Sequence, residues 1–343
     1  MVEAIHREII SEKGYLEGEK LSSIYFGGGT PSILKSTRIN LLLSAIREHY
    51  SLESHIEVTL EANPEDLNPS FLAELREIGI NRLSIGIQSF HDDDLRFLNR
   101  RHDAWQAKSC LEMAIMEGFE NLNVDLIYGV PGMSREKWED NLATAFYFLP
   151  PHLSAYHLTY ESGTVLDYRR RKKRIRPVDE QLSLVHYRLL TDRMEGQGYE
   201  HYEISNFARQ GSFSRHNSSY WKGEKYLGVG PSAHSYNGQS RRWNMSRNTS
   251  YIRGIQKGMR VYDEELLTPI TRFHDYLMTG LRTMWGIDLM YVKSEWGDEH
   301  YKRILNKSES FIRAGNMLEA EGKLILTRDG MFIADHIIGE LFL

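Results

Sequence analysis

Five short apolar runs in the first half of the chain end in residues able to bind a polar ligand. The first leads into Gly27-Gly28-Gly29-Thr30-Pro31, the second into Glu61-Ala62-Asn63-Pro64 and the third into Gln88-Ser89-Phe90. The fourth carries Asp125 inside Asn123-Val124-Asp125-Leu126-Ile127-Tyr128-Gly129, and the fifth ends His157-Leu158-Thr159-Tyr160. Glycines carry no Cβ, so their backbone amides can approach a ligand closely. A lone triple glycine is more often a plain tight turn, and a lone Glu61 a surface carboxylate. Asp125 within an apolar strand is different, because a buried charge needs a partner. Taken together, these acceptors and amides suit a zwitterionic ligand bearing an ammonium, a carboxylate and ribose hydroxyls.

The elements that must hold them alternate. β-rich runs at 23–26, 55–62, 82–89, 122–128 and 153–159 are separated by helical patterns at 37–49, 69–78, 104–118 and 135–149. That alternation predicts βαβ crossovers and a parallel sheet. The runs are apolar along most of their length, as strands covered on both faces would be. Near-regular spacing favours a barrel or part-barrel, whose functional residues gather at the carboxyl ends of the strands. The chain opens in a helical pattern at 2–13, with no strand before it. A parallel barrel normally begins with a strand, so a first strand is expected to be missing. Beyond 177 a long helix at 179–196 is followed by short strands and turns to about 244. A helix at 273–284 and another at 311–321 then precede a hairpin of strands 324–327 and 331–334, an order resembling a winged helix. Docking or packing suits that stretch better than DNA binding, since its acidic and basic residues balance.

Composition narrows the class. The 343 residues exceed one average domain, and 41% hydrophobic with 26% charged residues is ordinary for a globular protein with a core. A net charge of −5 argues against a general nucleic-acid binder. No run reaches the roughly 18 apolar residues of a transmembrane span, and the opening residues lack the apolar block of a signal peptide. A cytoplasmic location is expected. The single cysteine, Cys110, excludes internal disulfides and any cysteine-cage metal site.

Several of these segments also carry a family resemblance. Ile24-Tyr25-Phe26-Gly27-Gly28-Gly29-Thr30-Pro31-Ser32 resembles the glycine motif of radical S-adenosylmethionine (SAM) enzymes, in the wording of oxygen-independent coproporphyrinogen III oxidases and their HemW relatives. Glu61-Ala62-Asn63-Pro64, Arg82-Leu83-Ser84-Ile85-Gly86-Ile87-Gln88-Ser89-Phe90, Leu98-Asn99-Arg100-Arg101-His102 and Asp125-Leu126-Ile127-Tyr128-Gly129-Val130-Pro131-Gly132 follow in the family's order. The resemblance implies that Gly28, Gly29 and Thr30 meet the methionine part of SAM. It implies that Glu61, Gln88, Arg100 and Asp125 hold its amino-acid and ribose groups. It also implies a Cys-x-x-x-Cys-x-x-Cys loop just upstream of the opening helix, binding a 4Fe-4S cluster whose electron cleaves SAM to a 5′-deoxyadenosyl radical. This chain lacks that loop, and one thiol cannot hold the cluster. Cys110 reads as a small apolar core residue. The expectation is a truncated chain with an intact SAM pocket, no metal ligands and no radical chemistry of its own.

A later stretch points to one branch. Arg215-His216-Asn217-Ser218-Ser219-Tyr220-Trp221 and Tyr226-Leu227-Gly228-Val229-Gly230-Pro231-Ser232-Ala233-His234-Ser235 resemble the HemW heme-chaperone branch more than the oxidases. That resemblance implies a heme or porphyrin ligand and a respiratory heme enzyme as acceptor. His216 and His234 are the candidate axial ligands, with Tyr220 and Trp221 as flat neighbours. Each alone is as readily a hydrogen-bonded structural histidine. The basic run 169–174 could face propionates or acidic lipid, but such runs are more often solvated surface. The expected fold is thus α/β: a partial (β/α)6 radical SAM barrel at 1–177, an α+β region at 178–262 and a winged-helix-like domain at 263–343. The alternatives are a truncated radical SAM coproporphyrinogen III dehydrogenase and an inactive fragment.

Overall fold

The computed structural model describes residues 1–172, 175 and 179–342. The basic run and the expected boundary at 177 therefore lie partly outside the described residues. In chain order the elements begin α1 (Val2–Ser11), β1 (Leu21–Phe26), α2 (Ser36–His49), β2 (Leu52–Ala62), α3 (Pro69–Glu77) and β3 (Arg82–Gln88). They continue α4 (Asp92–Phe97), α5 (Ala104–Met116), β4 (Asn121–Tyr128), α6 (Arg135–Tyr147), β5 (His152–His157) and α7 (Val165–Arg171). Next come α8 (Glu180–Gly196), β6 (Glu200–Glu203), β7 (Asn206–Ala208), α9 (Arg215–Trp221), β8 (His234–Tyr236), β9 (Ser240–Asn244) and α10 (Asn248–Gln256). The last are β10 (Tyr262–Leu266), α11 (Pro269–Leu281), β11 (Ile287–Asp288), α12 (Leu289–Arg313), β12 (Met317–Ala320), β13 (Lys323–Leu326), α13 (Arg328–Phe332) and α14 (Ala334–Leu341). The fold is α/β, as the alternation predicts, and the helices start where local chemistry directs. Asn68 caps α3 ahead of Pro69, Asp103 and Gln106 close a capping box on α5, and Ser134 caps α6.

The chain forms two compact units. One comprises residues 29–33 and 59–213, the other 1–28, 34–58 and 214–343. In the first, the end of β2 (residues 59–62, its earlier residues belonging to the other unit) pairs in parallel with β3, β3 with β4 and β4 with β5, and β7 and then β6 extend the sheet antiparallel. One face of these strands is apolar. Leu83 and Ile85 of β3, Val124 and Leu126 of β4 and Leu153 of β5 are fully buried, each contributing about 1.5–3 kcal/mol of burial. The other face is not apolar, contrary to the expectation of strands apolar on both sides. Alternation puts Ser84, Gly86 and Gln88 on one side of β3, Asn123 and Asp125 on that side of β4, and His152 and Ser154 on that side of β5.

In the second unit, Ile9 of α1 packs with Leu42 and Ala45 of α2. The buried carboxylate of Glu8 accepts from Gly230 N–H (2.7 Å), Asn244 Nδ2 (2.7 Å) and Tyr251 Oη (2.6 Å), tying α1 to the segment around β9 and α10. Two short antiparallel sheets follow, β10-β9-β8 and β11-β13-β12. Three expectations fail here. Residues 215–221 are a helix rather than strand and turn, because Ser214 accepts from Asn217 N–H and starts one. The expected helix 311–321 stops at Arg313, where Gly315 takes φ +76° just past the last turn, and 317–320 is strand. The hairpin turns at Glu321-Gly322, both at positive φ, as a two-residue loop between β12 and β13 requires. Residues 331–334, expected as strand, lie in α13 and the start of α14, where Ala334, Ile337, Ile338 and Leu341 are buried at helical spacing.

Candidate functional site

In the first unit the polar residues at the strand ends hold one another. The loop after the first glycines is anchored by Ser32, whose hydroxyl donates to Asp66 (2.6 Å) and accepts from Asn63 N–H (3.3 Å). Asn63 follows Glu61 at the end of β2, and its Oδ1 accepts from Arg100 (2.5 Å). Arg100 donates also to Gly86 O (3.2 Å). A Cβ on Gly86 would stand 2.9 Å from Gln88 Nε2, 3.2 Å from Arg100 and 3.7 Å from Asn63 Oδ1. Glycine is what lets these three side chains converge over β3. Gln88 itself sits at φ +65°, a strained value for a side-chain-bearing residue. The segment carrying Arg100 is pinned by His102, whose ring nitrogens meet Ile87 O (3.0 Å) and Glu65 (3.2 Å).

Asp125 is the charged centre of the polar face. Its carboxylate accepts from Asn123 Nδ2 (2.7 Å) and Ser84 Oγ (3.1 Å). The register aligns Glu61 with Ser84, Ser84 with Asn123, and Asn123 with His152. Burial pushes the Asp125 carboxyl up to about 6, opposed by the Ser84, Ser154 and Asn123 hydrogen bonds and reinforced by Glu61. The residue as a whole is half-buried. Glu61, Gln88, Arg100 and Asp125 thus come together in one unit, with Gly29 and Thr30 at the anchored loop. Gly28 takes φ +74°, and a Cβ on either Gly28 or Gly29 would find open space. The set offers a carboxylate, amides and a cation in reach of a zwitterionic ligand, so these residues fit SAM.

A 4Fe-4S cluster does not fit the chain in hand. Cys110 is buried in α5, its thiol is pushed up by burial, and its sulfur donates to Ala107 O. Among the described residues no group of three His, Cys, Asp or Glu side chains is placed to hold a metal ion.

In the second unit His216 sits on α9. Its Nδ1 is 3.2 Å from Ser23 Oγ, its ring stacks on Tyr25 at 4.5 Å and meets Tyr220 edge-on at 5.2 Å. The ring series continues from Tyr220 to Tyr226 (4.3 Å) and Tyr236 (6.2 Å). The helix start is held by Glu57 of β2, whose carboxylate accepts from Arg215 N–H (3.1 Å) and His216 N–H (3.2 Å). His234 opens β8 with an exposed side chain, and its backbone passes so close to Gly228 that a Cβ there would lie 2.1 Å from its carbonyl oxygen.

Sequence reasoning assigned no role to Asn63, Gly86, His102, Ser84, Asn123 or Glu57. For Ser84 and Asn123 the signal was present: each lies two residues from a motif position on a strand and so shares its face. Glu57 offers no comparable signal, because its partners are 158 and 159 residues away.

Residues 3–145, which carry β1 to β4 and the glycine loop, match the radical SAM superfamily. The solved coproporphyrinogen III oxidase (HemN) of Escherichia coli shares the fold, with a TM-score of 0.84 at 22% identity over 99% of this chain and 82% of that one. Among curated proteins, the heme chaperone HemW of Mycobacterium tuberculosis is 38% identical over 98% of this chain and 85% of its own length. HemW of Bacillus subtilis is 31% identical over 98% and 89%, and that of Lactococcus lactis 34% over 83% and 75%. The chain belongs to the HemW family of radical SAM proteins.

Proposed function

We propose that this chain is a heme-binding chaperone related to the oxygen-independent coproporphyrinogen III oxidases, with a separate site for SAM. The observation that carries the heme reading is His216, an imidazole clamped between two tyrosines with Nδ1 held by a hydroxyl. Iron-binding imidazoles characteristically have one nitrogen oriented in this way, which fixes the ring for the metal. His234, exposed at the start of β8, is the second candidate. Relatives named as heme chaperones match at 31–38% identity over most of the chain, whereas the oxidase match is one of fold. The SAM site is Gly28, Gly29, Thr30, Glu61, Gln88, Arg100 and Asp125. These residues would bind SAM and orient it. Among the described residues no helix is long and apolar enough to cross a membrane, and we place the protein in the cytoplasm with a respiratory heme enzyme as acceptor.

Titrating hemin into the chain and into His216→Ala, with the Soret band as readout, tests the heme assignment. A saturable, shifted band in the parent that His216→Ala abolishes supports it. An unchanged spectrum in His216→Ala and in the His216→Ala/His234→Ala pair moves the ligand elsewhere, and absence of saturable binding by the parent removes the heme reading.

A further inference from the structure

Behind Asp125 a run of buried polar groups continues across the sheet where an apolar core would be cheaper. His152 is fully buried. Its Nδ1 is 2.6 Å from Asn123 Oδ1 and its Nε2 is 2.6 Å from Tyr202 Oη. Asn123 in turn places its amide nitrogen 2.7 Å from Asp125, 2.8 Å from Ser84 Oγ and 2.9 Å from Ser154 Oγ. The donor and acceptor roles follow from these distances. An ionised carboxylate only accepts, so Asn123 must turn its NH2 toward Asp125 and its carbonyl oxygen toward His152. A neutral imidazole has one N–H, and the carbonyl oxygen facing Nδ1 requires the hydrogen there. Nε2 is then an acceptor, and Tyr202 must donate to it. Burial, with Arg82 nearby, holds the His152 imidazole neutral well below its usual range.

We propose that Tyr202, His152 and Asn123 form a one-way donor chain that positions Asp125 and holds it as the anion facing the ligand. The inference rests on the SAM reading of Asp125 and adds to it three residues that act through Asp125. Reversing the imidazole tautomer sets a lone pair against Asn123 Oδ1 unless the amide flips. The flip then faces an oxygen to Asp125, tolerable only when Asp125 is protonated. The His152 tautomer and the Asp125 charge are thereby coupled. The other charged or titratable groups bearing on the pair are Glu61 on β2, Tyr156 on β5 and Arg100 after α4, with Glu203 on β6 linked through Asn206 and Ser154.

The test uses ligand-free chain labelled with 15N-histidine and 13C-aspartate, read by NMR. Above pH 7 the parent should show His152 with its proton on Nδ1. Tyr202→Phe keeps the ring packing, removes the donor, and should raise the Asp125 titration midpoint by about half a unit. Asn123→Leu serves as the severed chain, where the midpoint should rise further if the fold is kept. An Nε2–H tautomer in the parent, or an Asp125 midpoint unmoved in Tyr202→Phe, overturns the proposal. SAM calorimetry on the same samples is independent: a parent that shows the coupling but binds no SAM keeps the positioning chain and removes the ligand assigned to it.

Discussion

In the unit built on the parallel strands, the candidate cofactor residues stand on the strands and the loops that follow them and are held by near neighbours in the sheet, Arg100 by Asn63 and Gly86 and Asp125 by Ser84 and Asn123. In the other unit His216 stands on a seven-residue helix held by a carboxylate from a distant stretch of chain. The two arrangements fail differently. Strand-end residues inherit their position from the register, so a substitution there should disturb the ligand and leave the fold. A short helix has little stability of its own, so whatever fixes α9 fixes the imidazole too, and removing it should cost both.

The sharpest way to break that contrast is Glu57→Ala. Two backbone N–H groups at the start of α9 would lose a charged acceptor, costing about 2–4 kcal/mol. Urea unfolding should show a lower midpoint, and hemin binding should weaken in parallel. A variant as stable as the parent would mean that α9 is held by other means. Gly86→Ala tests the opposite prediction. The added Cβ meets the far ends of Gln88 and Arg100, which can swing aside. Stability should change by less than about 1 kcal/mol while SAM affinity drops roughly tenfold, equivalent to about 1.4 kcal/mol. Calorimetry beside thermal unfolding separates the two effects, and unchanged affinity would remove the Gln88–Arg100 cluster from the site.

A subtler effect comes from pH. Asp125 has a folded value raised to about 6. Its contribution to stability is therefore fully present below the unfolded value of about 4 and is lost as pH rises through about 6. Ligand binding to the anion runs the other way, so SAM affinity should increase as pH rises through about 6 and level off above it. Asp125→Asn should flatten that dependence. A parent profile that is already flat over this window would mean that the carboxylate does not meet the ligand as an anion.

The same contrast explains what could be read from the sequence. Parallel strands β2 to β5 and helices α3, α5 and α6 lie within a few residues of their expected places, because caps such as Asp103 and Ser134 mark the boundaries locally, whereas the short α4 at Asp92–Phe97 was not expected. The placing of Glu61 and Gln88 at the ends of β2 and β3, and of Asp125 within β4, was legible for the same reason, since position along a strand follows from its local pattern. The polar face behind Asp125 was hidden by averaging over alternate residues. Helix α9 was hidden by composition, because His, Asn, Ser and Tyr are weak helix formers and the anion that stabilises its start comes from β2. The C-terminal hairpin was misplaced because Arg328-Asp329-Gly330 looks like a turn, whereas Thr327 uses Gly330 N–H to start a helix.

Two ligand sites built from separate residues are tested most directly by a crossed measurement. SAM calorimetry and hemin titration would be run on His216→Ala and Asp125→Ala side by side. His216→Ala should lose the Soret shift and keep the parent's SAM affinity; Asp125→Ala should lose roughly tenfold or more in SAM affinity and keep the parent's heme spectrum. Loss of both ligands in either folded variant would contradict the account.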